Sequence, residues 1–299
     1  MTTTQPAPPT GRLLGNFEPG TPEWHAARAN GIGGSEIAPV LGISPHESRF
    51  SLWHRKQGNI SPVDESPQMY WGKRHEPTIC DEFALRHPEL LVLPSGTYAA
   101  DGTPWWIANP DRLGFTADGD LEVIEAKTAY DDHEWGDEGT DQIPVYYKAQ
   151  VRWYCHALGA RRARVAVLIG LSDYREYIVE PDPADTDLMR TAAQAFMDSL
   201  AAGVAPPIDG HTATYQAIKE IPDGMEDVDV QVDHAIAHRY FDALAAAKAA
   251  EEEKRHASGL VLDLIGTGRR AVVGDDRIAT RTVRDGRTYS LQPARNRSI

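Results

Sequence analysis

Residues 121–127 read Leu-Glu-Val-Ile-Glu-Ala-Lys, and no other run constrains the fold of this chain as tightly. Its apolar and β-branched residues predict a strand, whose successive side chains point to opposite faces. Leu121, Val123, Glu125 and Lys127 then share one face, and Glu122, Ile124 and Ala126 the other. Leucine and valine mark the first face as the one turned to a core, yet its far end carries a carboxylate and an ammonium. Buried charges are costly unless they meet partners. Whatever this chain folds into must bring something to Glu125 and Lys127.

The neighbouring sequence predicts the elements that could do so. Residues 1–20, rich in Thr, Pro and Gly, read as a disordered arm. Thr21-Pro22 starts a helix that runs through Arg28. A glycine loop, Gly31-Ile32-Gly33-Gly34-Ser35, leads to a short helix with Ser35 as its N-cap, and Ser44 to Glu47 form a capping box for the next helix. Met69, Gly72, Glu76, Ile79, Cys80 and Phe83 recur at helical spacing. Trp105–Phe115 and Leu121–Thr128 read as a hairpin around Asp118-Gly119-Asp120, with a bulge at Pro110. A helix from Pro144 to Leu158, a strand pair over Arg164–Glu180 and a helix over Asp185–Ala202 complete a core spanning 21–204. Residues 205–229 read as a linker, and 230–299 as a long helix followed by a basic β-like tail. This order implies a mixed α/β domain.

Charge and cysteine content narrow the function classes. The net charge of −14 argues against a protein that coats nucleic acid. The charge is uneven, because from Lys254 onward ten Lys or Arg face four Asp, a local +6. Cys80 and Cys155 fall on apolar helical stripes, which predicts buried free thiols and a cytoplasmic location. The longest apolar run, Val165–Leu171, is far too short to span a bilayer, so no membrane association is expected.

Three acids occur where apolar residues are expected: Glu76 on a helical stripe, Asp111 at the end of an apolar run, and Glu125 on the Leu121/Val123 face. Taken singly, each could belong to a salt bridge or a frayed element end. Taken together, a hairpin puts Asp111 beside Glu125, and Glu76 can project from the flanking helix. Converging carboxylates repel unless a hard divalent ion such as Mg²⁺ or Mn²⁺ joins them. Lys127 would then be poised to orient or deprotonate a water. The glycine loop also suits an anion: Gly33-Gly34 admits close backbone approach, a helix N-terminus favours negative charge, and Arg28 adds a clamp. A plain cap behind a flexible loop fits the same residues.

Pro110-Asp111 with Glu125-Ala126-Lys127 resembles the PD-(D/E)xK nuclease signature, and Gln150 to Tyr154 is similar to the QxxxY element of its exonuclease branch. Gly33 to Ile37, Leu52-Trp53 and Trp71 to Pro77 resemble the YqaJ-type viral recombinases, the group of phage lambda exonuclease. The resemblance covers roughly Trp24 to Leu200. It implies a restriction-endonuclease-like core, a mixed central sheet flanked by helices. It also implies a Mg²⁺-dependent exonuclease, digesting double-stranded DNA ends 5′ to 3′ and leaving 3′ overhangs for recombination. A ring-shaped homotrimer and a single-strand annealing partner are further implications. By resemblance, Asp111, Glu125 and the Ala126 carbonyl are metal ligands, and Glu76 helps hold a second ion. Lys127 serves the attacking water, Gln150 and Tyr154 support the site or the DNA backbone, and Arg28 and Ser35 receive the 5′-phosphate. Asn109-Pro110-Asp111-Arg112 lacks the glycine usual after the aspartate. An endonuclease or nickase of the same superfamily, and a non-catalytic DNA-end-binding scaffold, are the alternatives.

Overall fold

The Leu121–Lys127 run lies in the middle strand of a five-stranded sheet covered on both faces. The computed structural model describes residues 8–18, 20–222 and 224–294. Among these, the first elements are β1 (Arg12–Gly15), α1 (Pro22–Arg28), β2 (Ile32–Gly33), α2 (Gly34–Leu41), α3 (Arg49–Lys56) and α4 (Pro67–Arg86). Then follow β3 (Leu91–Pro94), β4 (Thr97–Ala100), β5 (Thr103–Ala108), β6 (Arg112–Phe115), β7 (Leu121–Ala129) and α5 (Val145–Leu158). β8 (Arg162–Ile169), β9 (Asp173–Val179), α6 (Pro183–Ala202) and α7 (Thr212–Glu220) complete a unit that extends to Met225.

The sheet runs β3-β6-β7-β8-β9, with β7 and β8 parallel and α5 as their crossover. Parallel strands are usually buried on both faces, and β7 obeys. Leu121 and Val123 pack into a core with Trp106, Val151 and Trp153, while Ile124 and Ala126 pack against Ile79, Cys80 and Phe83 of α4. The Trp106 and Trp153 rings stack at 3.8 Å, and each indole N–H donates to a backbone carbonyl. Both rings are fully buried in the core. Both cysteines are buried and free, and no helix among the described residues is long and apolar enough to cross a membrane. The mixed α/β class with a central sheet between helices is as expected.

Several local expectations give way to tertiary structure. The run Trp105–Phe115 is not one strand. β5 belongs to a second sheet, β1-β4-β5-β2, and the chain crosses to β6 through Asn109-Pro110-Asp111. Proline, lacking an N–H, suits such a break. The 1–20 arm carries β1, paired with β4, while residues 1–7 lie outside the described residues. Ser35 is not the N-cap of α2: Gly33 holds that place, and Ser35 falls in the first turn. Ser44 closes a turn by accepting from the Glu47 N–H, and the box that starts α3 is Ser48 with Ser51, each accepting the other's N–H. The 205–229 linker contains α7, whose Thr214 hydroxyl sits 2.6 Å from both Ser48 Oγ and the Asp209 carboxylate. Only Thr214 and Ala217 of α7 are buried, so no large apolar residue announced it.

A second unit, from Glu226, holds α8 (His234–Ile265) and the antiparallel sheet β10 (Arg270–Val273), β11 (Asp276–Arg284) and β12 (Arg287–Pro293). The expected long helix and β tail are both present.

Candidate active site

The β6–β7 register pairs Arg112 with Ile124, so Asp111, one residue before the ladder, falls opposite Glu125. Asp111 Oδ2 accepts the Ala126 N–H at 2.7 Å, which locks the two strand ends together. Glu125, only 3% exposed, uses one oxygen twice: Oε1 accepts from Lys127 Nζ and from Gln150 Nε2, each at 2.6 Å. Its Oε2 is buried without any hydrogen-bond partner. An unmet buried acceptor is expensive. Gln150 Nε2 also donates to the Tyr154 hydroxyl at 3.1 Å, so the two predicted residues of α5 form one chain leading to Glu125.

The electrostatics record the crowding. Burial, then the charge of Glu125, push the Asp111 carboxyl well above the usual carboxylate range. Burial also raises Glu76, against the pull of Arg112, with Glu125 adding to the rise. For Lys127, burial disfavours the ammonium, but Glu125 and Asp111 outweigh it and hold the group above the usual lysine range. The two carboxylates thus favour the ammonium form of Lys127, the form that can orient a water. Its ammonium also lies 4.8 Å from the Tyr147 ring centroid.

Glu76 is less buried than its helical stripe suggested. Its side chain is 33% exposed, and Met69 is exposed too. The first half of α4 passes the end of β7, where Gly72 comes near Thr128, so only Ile79, Cys80 and Phe83 reach the core. Glu76 Oε1 lies 3.7 Å from Arg112 Nη1, and the same nitrogen donates to the Asp111 carbonyl at 2.7 Å. Arg112, standing where a glycine is usual, thus bridges the helix and the Asp111 turn.

The glycine loop joins this arrangement from the other side. Arg28 Nη2 donates to Ser35 Oγ at 3.3 Å and stands 3.9 Å from Glu36, while its guanidinium covers the Trp24 ring. A Cβ on Gly33 would lie 2.1 Å from Arg28 Nη2, and one on Gly34 would lie 2.3 Å from the Tyr154 ring. The two glycines are there because other side chains need their space. Gly34→Ala should cost about 1–3 kcal/mol of stability, the usual result of overpacking a dense core. A melting temperature equal to wild type would refute the contact.

Sequence reasoning missed four contributors. Glu36 accepts the Gly33 N–H at 2.7 Å and pairs with Lys56 at 3.0 Å; burial opposes its charge, but Lys56 and Arg28 hold its carboxyl below the usual range. Asn109 accepts from the Trp24 indole at 2.6 Å and so ties α1 to the Asp111 turn. Arg112 and Tyr147 are the others. A glutamate three residues past the N-cap was the available signal for Glu36; the rest are long-range contacts with no local signature. Lys148, Arg152, Arg161, Arg162 and Arg164, the cations of α5 and β8 and of the turn between them, are each paired with a carboxylate.

Among the described residues, no three His, Cys, Asp or Glu side chains form a metal-holding group by themselves. The oxygen donors nevertheless fit a hard divalent cation: one orphaned Glu125 oxygen, the adjoining Asp111 carboxylate, the Ala126 backbone, and Glu76 nearby.

Residues 23–161 match the family of YqaJ-like viral recombinase domains. The uncharacterised protein YqaJ of Bacillus subtilis is 33% identical over 215 residues, which is 70% of this chain and 65% of that protein. The chain thus spans just under two thirds of this curated relative's length. An alkaline exonuclease (LHK-Exo) from Laribacter hongkongensis superposes with a TM-score of 0.49 at 20% identity, over 67% of this chain and 97% of that one. A phage related exonuclease from Haemophilus somnus gives 0.44 at 11% identity, over 58% and 96%.

Proposed function

We propose that this protein, whose residues 23–161 match the YqaJ-like viral recombinase domain, is a metal-dependent exonuclease acting on double-stranded DNA ends, 5′ to 3′. The observation that carries the reading is the Glu125 carboxylate, buried, with Lys127 on one oxygen and nothing on the other. Asp111, Glu125 and the Ala126 carbonyl would hold Mg²⁺, or Mn²⁺ in its place, with Glu76 turned toward a second ion. When bound, such ions supply Lewis acidity to the phosphoryl oxygens and the leaving oxygen.

The chain's own residues do the rest. Lys127, charged and anchored between Glu125 and Tyr147, directs its remaining N–H bonds at the attacking water. Gln150 fixes the Glu125 rotamer, and Tyr154 fixes Gln150. Arg28 and Ser35, with Lys56 offsetting Glu36, leave a net positive pocket at the N-terminus of α2 for a terminal phosphate. Water attacks phosphorus and the P–O3′ bond breaks, so the released nucleotide departs with a 3′-hydroxyl. The shortened strand ends in a new 5′-phosphate, the group the pocket is built to receive. A 3′ single strand remains. A homotrimer, an annealing partner and a cytoplasmic location belong to the same proposal.

Digestion of end-labelled duplexes with Mg²⁺ or with EDTA tests it. Mononucleotides should leave from 5′ ends only when metal is present, and a covalently closed circle should survive. Cutting of the circle would make the enzyme an endonuclease. End binding with no hydrolysis in any divalent metal would make it a scaffold.

A further inference from the structure

The small sheet of the second unit carries an unusual charge arrangement. Six arginines lie between residues 269 and 287, and among the described residues none is ion-paired, although Asp275, Asp276 and Asp285 are close in sequence. The first unit behaves differently, matching Arg152, Arg161, Arg162, Arg164, Arg175 and Arg190 each with a carboxylate. A chain of net charge −14 has acids to spare, so leaving these arginines open is a distinct feature of the sheet.

The register divides the sheet into two faces. Ala271 pairs with Ala279, and both are buried, which marks theirs as the inner face. Arg281 belongs to that inner face, and its guanidinium donates to the Gly266 carbonyl at the end of α8. It holds the unit together. On the outer face, Arg270, Thr280 and Gln292 form one cross-strand row, Thr282 and Ser290 a second, and Arg284 with Arg287 a third. Arg270, Arg284 and Arg287 are exposed. Tyr289, 69% exposed, stands at the β11–β12 irregularity with the Arg284 guanidinium 5.9 Å from its ring.

We propose that this outer face binds single-stranded DNA. Arginine with Ser, Thr and Gln is the donor set that proteins direct at phosphate oxygens. A positive surface bearing an exposed aromatic ring is the usual platform for unpaired bases. An acidic protein partner would match the arginines but leave the rows of hydroxyls and the open tyrosine without use. The proposal rests on the nuclease reading in one respect: the strand held is the one that digestion leaves behind.

The test uses the full chain and a fluorescein-labelled oligothymidylate in EDTA, followed by anisotropy across a salt series. One variant combines Arg270→Ser, Arg284→Ser and Arg287→Ser; a second puts lysine at the same three positions. Single-strand binding falls with salt by about 0.7 log units per log unit for each phosphate contact. The serine variant should lose about two units of that slope and bind roughly tenfold or more weakly, and the lysine variant should keep both. Tyr289→Ala should weaken binding about five- to a hundredfold with the slope unchanged. Circular dichroism melts identify any variant that fails to fold, and the lysine variant then decides. An unchanged slope in the folded serine variant overturns the proposal, as does a loss confined to duplex DNA. A change in self-association with DNA binding unaltered assigns the face to a second copy and overturns it equally. Hydrolysis of saturating duplex with Mg²⁺ should stay within about twofold of wild type in the serine variant. Its absence in wild type would defeat the nuclease reading alone, since the salt slope is read without catalysis.

Discussion

Lys127→Ala should lower DNA hydrolysis by about 10²–10³-fold, the scale seen when one donor to a reacting centre is removed. Affinity for DNA should change little. Lys127 touches Glu125 Oε1 and not the orphaned Oε2, so its loss strips a positive charge from the carboxylate proposed to hold the metal. Mg²⁺ should therefore bind at least as tightly as in wild type. Glu125→Gln should do the reverse, losing hydrolysis together with metal affinity. It should also leave the Lys127 ammonium buried without its anion, and removing one partner of a buried pair costs about 3–5 kcal/mol. Calorimetric Mg²⁺ titration of both variants separates the roles. Equal loss of metal affinity in the two would reject the division between them.

Arg28→Ala should slow digestion of 5′-phosphorylated duplex about ten- to a hundredfold, with a much smaller effect on 5′-hydroxyl ends. The magnitude follows from a charge-assisted hydrogen bond of roughly 1.5–3 kcal/mol. A terminal phosphate carries more charge than an internal diester, so the pocket can tell them apart. The fold should survive the change, because Glu36 keeps Lys56 at 3.0 Å when Arg28 is gone. Arg28→Lys retains the charge without the planar fork, and should fall between wild type and the alanine variant. Initial rates on paired substrates differing only at the 5′ end provide the measurement. If wild type digests both ends equally, Gly33-Gly34-Ser35 is only the start of a helix.

Much of the arrangement was legible in the residues. Alternation along 121–127 identified β7, helical spacing identified α4 and α5, and the acids on apolar stripes led to Asp111 and Glu125. These are local signals, set by the periods of strand and helix. The errors were also local in kind. Ser35 and Ser44 were read as caps because serine suits the position, whereas the chain chose Gly33 and Ser48. The strand through Pro110 was read as continuous because nothing in a single run says that the two halves enter different sheets.

The sharpest case is a pair of glutamates on the same strand. Sequence alone put Glu122 and Glu125 on opposite faces of β7 and singled out only Glu125 as a charge on the core face. That Glu122 is equally buried, 2% exposed, emerges only in the fold. In the fold, Glu122 meets Arg164 at 2.6 Å and Arg162 at 3.5 Å across the β7–β8 ladder, so both its oxygens face a guanidinium. Glu125 faces the other way, toward α5, and receives a lysine and an amide on one oxygen while the second stays open. Alternation sends the two acids to opposite faces. Which face holds enough positive charge depends on residues forty positions away, brought near only when the parallel strand β8 docks. Tertiary structure alone decided that one buried carboxylate met a guanidinium on each oxygen and the other kept one oxygen without a partner.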